Sequence, residues 1–259
     1  MSRLARRLQR RYAALFRDPI GRAFFGDSGY ANYGYWTADT TSAAAACDQL
    51  VDRLLAHLPR PPARVLDVAC GHGGTTQRLA RAFGAHAIVA VDLVPAHVAA
   101  TAARTPGCRH AVMDAARLGF ADASFDVVLC TEAAFHFETR ERFLREAARV
   151  LRPGGHLLLA DLILRAGAGR VPRANLVRSM AAYRELLLRC GFHSAELEDI
   201  TDKSWRAFRR RYAAFAVRQR GLLVGTRRAI GWLLFHSWRG LLTEYAIARY
   251  FLAVARKAP

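Results

Sequence analysis

Three carboxylates stand where short apolar runs end: Asp67 inside VLDVACGHGG, Asp92 inside VAVDL and Asp114 inside VMD. Gly71, Gly73 and Gly74 follow Asp67 closely. A glycine-rich turn after a strand lets a ligand approach bare backbone, because no Cβ intervenes. The pattern is neither G-x-G-x-x-G nor a G-x-x-x-x-G-K-[ST] phosphate loop, and a negative Asp67 beside it suits a cationic ligand better than a pyrophosphate. Asp92, 25 residues after Asp67, falls where a carboxylate can accept both hydroxyls of a ribose. Asp114 falls where a carboxylate can face an adenine amino group. Past the next apolar run, FDVVLC, come Glu132 and His136, and one run later Asp161 in LADL. A histidine there has the intrinsic pKa of a base at neutral pH.

These groups share one crevice only if the runs are neighbouring parallel strands, and the surrounding pattern predicts that frame. From Arg64 the runs RVLDVAC, AIVAVDL, HAVMD, FDVVLC and HLLLADLIL alternate with helical stretches at about 73–84, from Pro95 and from near Thr139. The expected fold is α/β: a doubly wound, mostly parallel, seven-stranded sheet with helical additions at the N-terminus and between the last two strands. Residues 1–60 are expected to form a helical and aromatic lid segment, and 61–259 the core with a helical insertion at about 203–243. Within the lid, Leu4, Leu8, Tyr12, Leu15 and Phe16 share a helical face. Residues 40–58 read as a helix, N-capped by Thr41 or Ser42, with Leu50, Leu54, Leu55 and Leu58 facing inward. A helix at about 174–190 and the strand SAELEDIT follow, and YAIARYFLAVARK closes the chain as an expected edge strand.

The 259 residues are 53% hydrophobic, enough for one sizeable core. Lys and Arg number 39 against 21 Asp and Glu, a net charge of +18, and only Lys203 and Lys257 are lysine. With the many alanines, this excess resembles the residue usage of a GC-rich genome. The five cysteines show no CxxC and no metal spacing, so buried free thiols and no metal site are expected. No apolar run follows the basic N-terminus, and the longest stretches without charge are 11 residues (28–38 and 93–103), too short to span a bilayer. A cytoplasmic protein is expected.

The same residues resemble the class I S-adenosylmethionine-dependent methyltransferases over about 36–164, and more loosely beyond. LDVACGHGG is similar to their first motif, VAVDL to the stretch with the ribose-binding acid, MDA to the adenine contact, FDVVLCTEAAFHF to the fourth motif, and RVLRPGGHLLLAD to the region of the fifth strand. Ala69 stands where the commonest motif has glycine; small-molecule members often carry such an alanine. The resemblance implies S-adenosyl-L-methionine as cofactor, held near Asp67, by the backbone of Ala69, Gly71 and Gly73, by Asp92 and Leu93 at the ribose, and by Asp114 and Ala115 at the adenine. It places Glu132 near the methionine portion. Related sugar and small-molecule O-methyltransferases are similar in placing a histidine after the fourth strand and an acid after the fifth, which makes His136 and Asp161 the candidate catalytic pair.

Plainer roles compete with these. His136 reads equally as a base or as a cap of the helix starting near Thr139. Asp161 reads as a base, as an orienting partner, or as the mate of an arginine from the cap. His72 reads as an exposed loop residue. Tyr33 in GYANYGYW reads as a contact to the sulfonium or substrate, or as packing. Segments 3–22 and 203–228, rich in arginine, read as solvated helix faces or as peripheral contacts to an anionic membrane surface or substrate. The expected acceptor is a small, largely hydrophobic natural product methylated at a hydroxyl oxygen; a prenyl or polyene carbon and nitrogen are the alternatives. TEAAF replaces the [DNS]-P-P-[YF] of base-amino methyltransferases, so no specific nucleic-acid partner is expected.

Overall fold

The computed structural model describes residues 6, 9, 10, 18–165, 172–219 and 246–259. Seven strands, β1 (Val65–Val68), β2 (Ile88–Asp92), β3 (Arg109–Val112), β4 (Phe125–Thr131), β5 (Leu151–Leu164), β6 (Phe192–Asp199) and β7 (Ile247–Lys257), form one sheet in the order β3-β2-β1-β4-β5-β7-β6. The first five are parallel, and β7 is antiparallel to both its neighbours. The described helices are α1 (Pro19–Phe25), α2 (Ala43–Leu55), α3 (Gly74–Phe83), α4 (Pro95–Arg104), α5 (Arg140–Val150), α6 (Met180–Arg189) and α7 (Ala207–Arg218).

The central strands β1, β2, β4 and β5 are buried on both faces, with a period of two. Leu66, Val68, Val128, Cys130, Leu157 and Leu159 join one core with α5 and α6, whereas Val65, Val127, Leu129, Leu158 and Ala160 join another with α2. Leu50, Val51 and Leu54 of α2 are fully buried in the second core, so the segment before β1 is welded to the sheet. Side-chain caps start α2, α5 and α6: the hydroxyls of Ser42, Thr139 and Ser179 accept the amides of Ala45, Arg142 and Ala182. Pro95 opens α4 at a position that needs no donor.

Three expectations change. YAIARYFLAVARK is no edge strand: β7 is inserted between β5 and β6, and β6, carrying Glu196, Glu198 and Asp199, takes the edge, where charge is tolerated. The helix expected from about 174 starts at Met180, after an extended stretch capped by Ser179. In the insertion, Asp202–Arg206 form a π-helical turn leading into α7. The expected helix over 4–17 lies almost wholly outside the described residues, as does the insertion beyond Gln219. All five cysteines are free and four are buried, as expected. Among the described residues no helix is long and apolar enough to cross a membrane.

Candidate active site

Strand order reverses between β1 and β4, and in open α/β sheets ligands sit outside the carboxyl ends of the strands at such a switch point. A cavity of about 980 Å³, its open mouth included, lies there. Its walls come from the ends of β1 to β4 and from the strap Gly29–Asn32. The strap is fitted closely to the glycine loop. The Gly74 amide donates to Gly29 O at 3.3 Å, and a Cβ on Gly74 would stand 2.7 Å from the Tyr30 ring. Arg104 of α4 ties both together, donating to His72 O at 3.1 Å and to Asp27 O at 2.8 Å.

The loop carries the backbone shape that a close ligand needs. Ala69 (φ 63°), Gly71 (57°) and Gly73 (87°) lie in the left-handed region, the alanine at a steric cost. A Cβ on Gly71 would meet nothing within 4 Å, so protein packing alone does not require glycine there. That bare face lines the cavity. Gly73 caps α3 and is not among the lining residues.

Asp92, Leu93, Asp114, Ala115, Glu132 and His136 all line the cavity, with Ala69 and Gly71. Asp92 is held firmly. Gly71 N donates to its Oδ2 at 3.1 Å, Val94 N to Oδ1 at 2.9 Å, and His97 Nδ1 lies 3.2 Å from Oδ1. A carboxylate offers about four lone-pair sites; one therefore stays free, and a second opens if His97 yields. Asp114 Oδ1 accepts Ala116 N at 2.9 Å. Glu132, itself at φ 53°, accepts Tyr33 N at 2.6 Å and Tyr250 Oη–H at 2.7 Å on Oε1, and among the described residues no hydrogen bond reaches Oε2. Burial pushes its carboxyl up to about 8, although both hydrogen bonds pull the other way.

Other expected site residues lie elsewhere. Asp67 is turned beneath the loop, not toward the cavity, and accepts Thr76 Oγ1–H of α3 at 2.6 Å. Burial pushes it up to about 7. Asp161 is fully buried away from the lining, its carboxylate taken by Arg140 (2.9 and 3.3 Å) and Tyr183 (2.8 Å). Its arginine comes from α5, beside the fourth motif, and not from the cap. The Tyr33 amide donates to Glu132 at 2.6 Å, while its ring packs on Trp205 (4.7 Å) and Phe208 (4.9 Å); Tyr30, not Tyr33, lines the cavity.

His72 is half-buried in the cavity wall, not an exposed loop residue, and sits edge-on to His97 at 5.3 Å. Burial, aided by His97 and Arg104, lowers it to about 4, so it is neutral at physiological pH. His97, unforeseen from the sequence, is five residues past Asp92 in the first turns of α4; that short spacing from a strand-end acid is the signal for it. His136 is buried in the short turn Ala134–His136, while Thr139 supplies the side-chain cap of α5. No group of His, Cys, Asp or Glu suited to a metal occurs among the described residues.

Fold and cavity together define a nucleoside-cofactor enzyme with the Rossmann-like methyltransferase architecture. Residues 66–159 match the family described as "Methyltransferase domain". Methyltransferase GfsG of Streptomyces halstedii is 32% identical over 202 residues, covering 71% of this chain and 72% of that one. The 27-O-demethylrifamycin SV methyltransferase of Amycolatopsis mediterranei is 33% identical, covering 67% and 71%. A phthiotriol/phenolphthiotriol dimycocerosates methyltransferase of Mycobacterium leprae is 37% identical over 155 residues, and this chain spans 57% of its length. Among solved structures, the [4+2]-cyclase SpnF superposes with a TM-score of 0.75 at 25% identity, covering 98% of this chain and 97% of that one. The chain belongs to the S-adenosylmethionine-dependent methyltransferases, and its cofactor is S-adenosyl-L-methionine.

The residues present fit that cofactor. Gly71 leaves a cradle that a Cβ would fill, and Asp92, Asp114 and Glu132 give the cavity an acidic lining for a sulfonium ligand.

Proposed function

We propose that the chain methylates a hydroxyl oxygen of a small, largely hydrophobic natural product, with His136 as the base. The observation that carries this reading is the placement of His136: a buried imidazole after β4, in the same cavity as Asp92 and Glu132. Relatives named for rifamycin and phthiotriol substrates support the acceptor class.

Bound S-adenosylmethionine supplies an electrophilic methyl group on a sulfonium. Asp92, aided by Leu93, would hold the ribose, Asp114 and Ala115 the adenine, and the backbone of Ala69 and Gly71 the remainder. Glu132 would face the positive charge with Oε2. The imidazole of His136 would take the hydroxyl proton as the oxygen attacks, a step worth about 10²–10⁴ in rate. Strap and loop, packed without a gap at Gly29 and Gly74, would keep water from the reacting pair.

Extracts of the source organism incubated with methyl-labelled cofactor and this protein should yield a labelled O-methyl product by mass spectrometry and NMR. His136→Ala should slow its formation at least ~100-fold while leaving cofactor affinity intact. Label on carbon with an undiminished His136→Ala rate would replace this reading with carbon methylation, and label in RNA or DNA would replace the acceptor class.

A further inference from the structure

A single side-chain amide grips the turn that carries His136 from both sides. Asn175 Nδ2 donates to Phe135 O at 3.1 Å and to Phe137 O at 2.7 Å, the carbonyls flanking His136. Its Oδ1 accepts the Arg140 amide at 2.7 Å at the start of α5, and its own carbonyl accepts Arg140 Nη1. Arg140 in turn donates to Asp161 and, at 2.6 Å, to Leu162 O on β5, while Tyr183 Oη–H seals Asp161. Asn175 and Arg140 are each 1% exposed and Asp161 is 0% exposed.

We propose that Asn175 is a positioning residue for His136, and that Asp161 and Arg140 serve the reaction only by bracing it. The inference rests on the reading of His136 as the base. The turn Ala134–His136 is one short 3₁₀ segment whose own bonds are His136 N to Ala133 O (2.8 Å) and Phe137 N to Ala134 O (3.2 Å). Such a turn has little rigidity of its own. Left alone, the carbonyls of Phe135 and Phe137 would be buried acceptors in search of a donor. The bond to Phe135 O fixes the peptide plane before residue 136, the Phe137 N bond to Ala134 O holds the plane after it, and the bond to Phe137 O pins the next, which together set the direction of the His136 Cα–Cβ bond. The chain of contacts β5–Asp161–Arg140–Asn175–turn then refers the imidazole to the most buried part of the sheet. Proton transfer requires heavy atoms within about 2.6–3.2 Å, and misplacement of a reacting group by about 1 Å costs about 100-fold in rate. A base on an unsupported turn would not meet that tolerance.

The test uses the extract and labelled cofactor described above, read as the rate at saturating cofactor, the cofactor KM, and calorimetric affinity for S-adenosylhomocysteine. Asn175→Asp keeps the acceptor for the Arg140 amide and removes both donations to the turn. It should lower the saturating rate about 10- to 100-fold, leave S-adenosylhomocysteine affinity within about twofold, and have no further effect in a His136→Ala background. Asn175→Ser, which adds no charge, carries the same expectation if the acid unfolds the chain. A folded Asn175 variant that runs at the wild-type rate overturns the proposal, as does an equal loss with and without His136. A His136→Ala enzyme as fast as wild type would instead defeat the base reading itself, and is told apart because His136 alone is then changed.

Discussion

Glu132 and Tyr250 meet in a 2.7 Å hydrogen bond that joins the end of β4 to the strand inserted two places away in the sheet. The bond closes the inner wall of the cavity around a carboxyl that burial raises from 4.5 to about 8. Asp67, raised by burial from 3.8 to about 7, lies under the glycine loop nearby. For both, the folded state holds the proton more tightly than the unfolded chain. Their stabilisation is therefore complete below the unfolded pKa and is lost as pH rises through the folded one. These two groups should lower the stability of the cofactor-free protein between about pH 3.8 and 8, each contributing a slope of about 1.4 kcal/mol per pH unit in its own window, while His72, held neutral, opposes them between about pH 4 and 6.5. Glu132→Gln should remove its share and leave that of Asp67. Urea unfolding across this range reads the slopes; an identical pH profile in Glu132→Gln would contradict the assignment.

Cofactor binding should reverse that balance at Glu132, since a sulfonium favours the ionised carboxylate. Near pH 7 the protein should release protons on binding S-adenosylmethionine and fewer on binding S-adenosylhomocysteine, which lacks the charge. Calorimetry in buffers of different ionisation enthalpy measures this. Equal proton release for the two ligands would place the sulfonium away from Glu132.

Two glycines of one cleft should respond oppositely. Gly71→Ala places a methyl group in open cavity at the cost of left-handed strain, about 1–2 kcal/mol, so the fold should survive while cofactor affinity falls steeply. Gly29→Ala would bring Cβ within 2.6 Å of His72 O, and the melting temperature should fall first. Thermal melts and cofactor titrations on the pair separate the effects. A Gly71→Ala protein with unchanged affinity would show that the ligand does not approach that face.

Asp161→Asn should act on the fold before it acts on the reaction. It leaves the buried Arg140 guanidinium without its counter-ion, a change that costs about 3–5 kcal/mol. Combining it with Arg140→Met should recover part of that loss. A variant with wild-type melting and a slow methyl transfer step would return Asp161 to the role of base.

These residues show what the sequence made legible and what it did not. The parallel frame was readable because the apolar runs end on turn signals and helices open on recognisable starts: side-chain caps at Ser42 and Thr139, and a proline at Pro95. β7 was misplaced although its unbroken apolar run from Tyr250 to Ala255, buried on both faces apart from half-buried Val254, marks an interior strand, and the acids of β6 mark an edge. Cavity acids at the ends of β2, β3 and β4 were legible from position alone. Asp67 and Asp161 were not separable from them, because strand parity and a partner from a distant helix decide which way a carboxylate turns. Asn175, one polar residue in an irregular stretch, carries no local pattern: its importance arises from two carbonyls about 40 positions earlier.

The claim on which the rest depends is that S-adenosylmethionine lies in this cavity with its ribose on Asp92. Calorimetric titration of wild type and Asp92→Ala with S-adenosylmethionine tests it most directly. Removing the carboxylate deletes the ribose acceptor and strands the Gly71 and Val94 amides, so affinity should drop by a few kcal/mol, about 100-fold, in a protein that remains folded. A folded Asp92→Ala protein that binds as tightly as wild type would contradict the account.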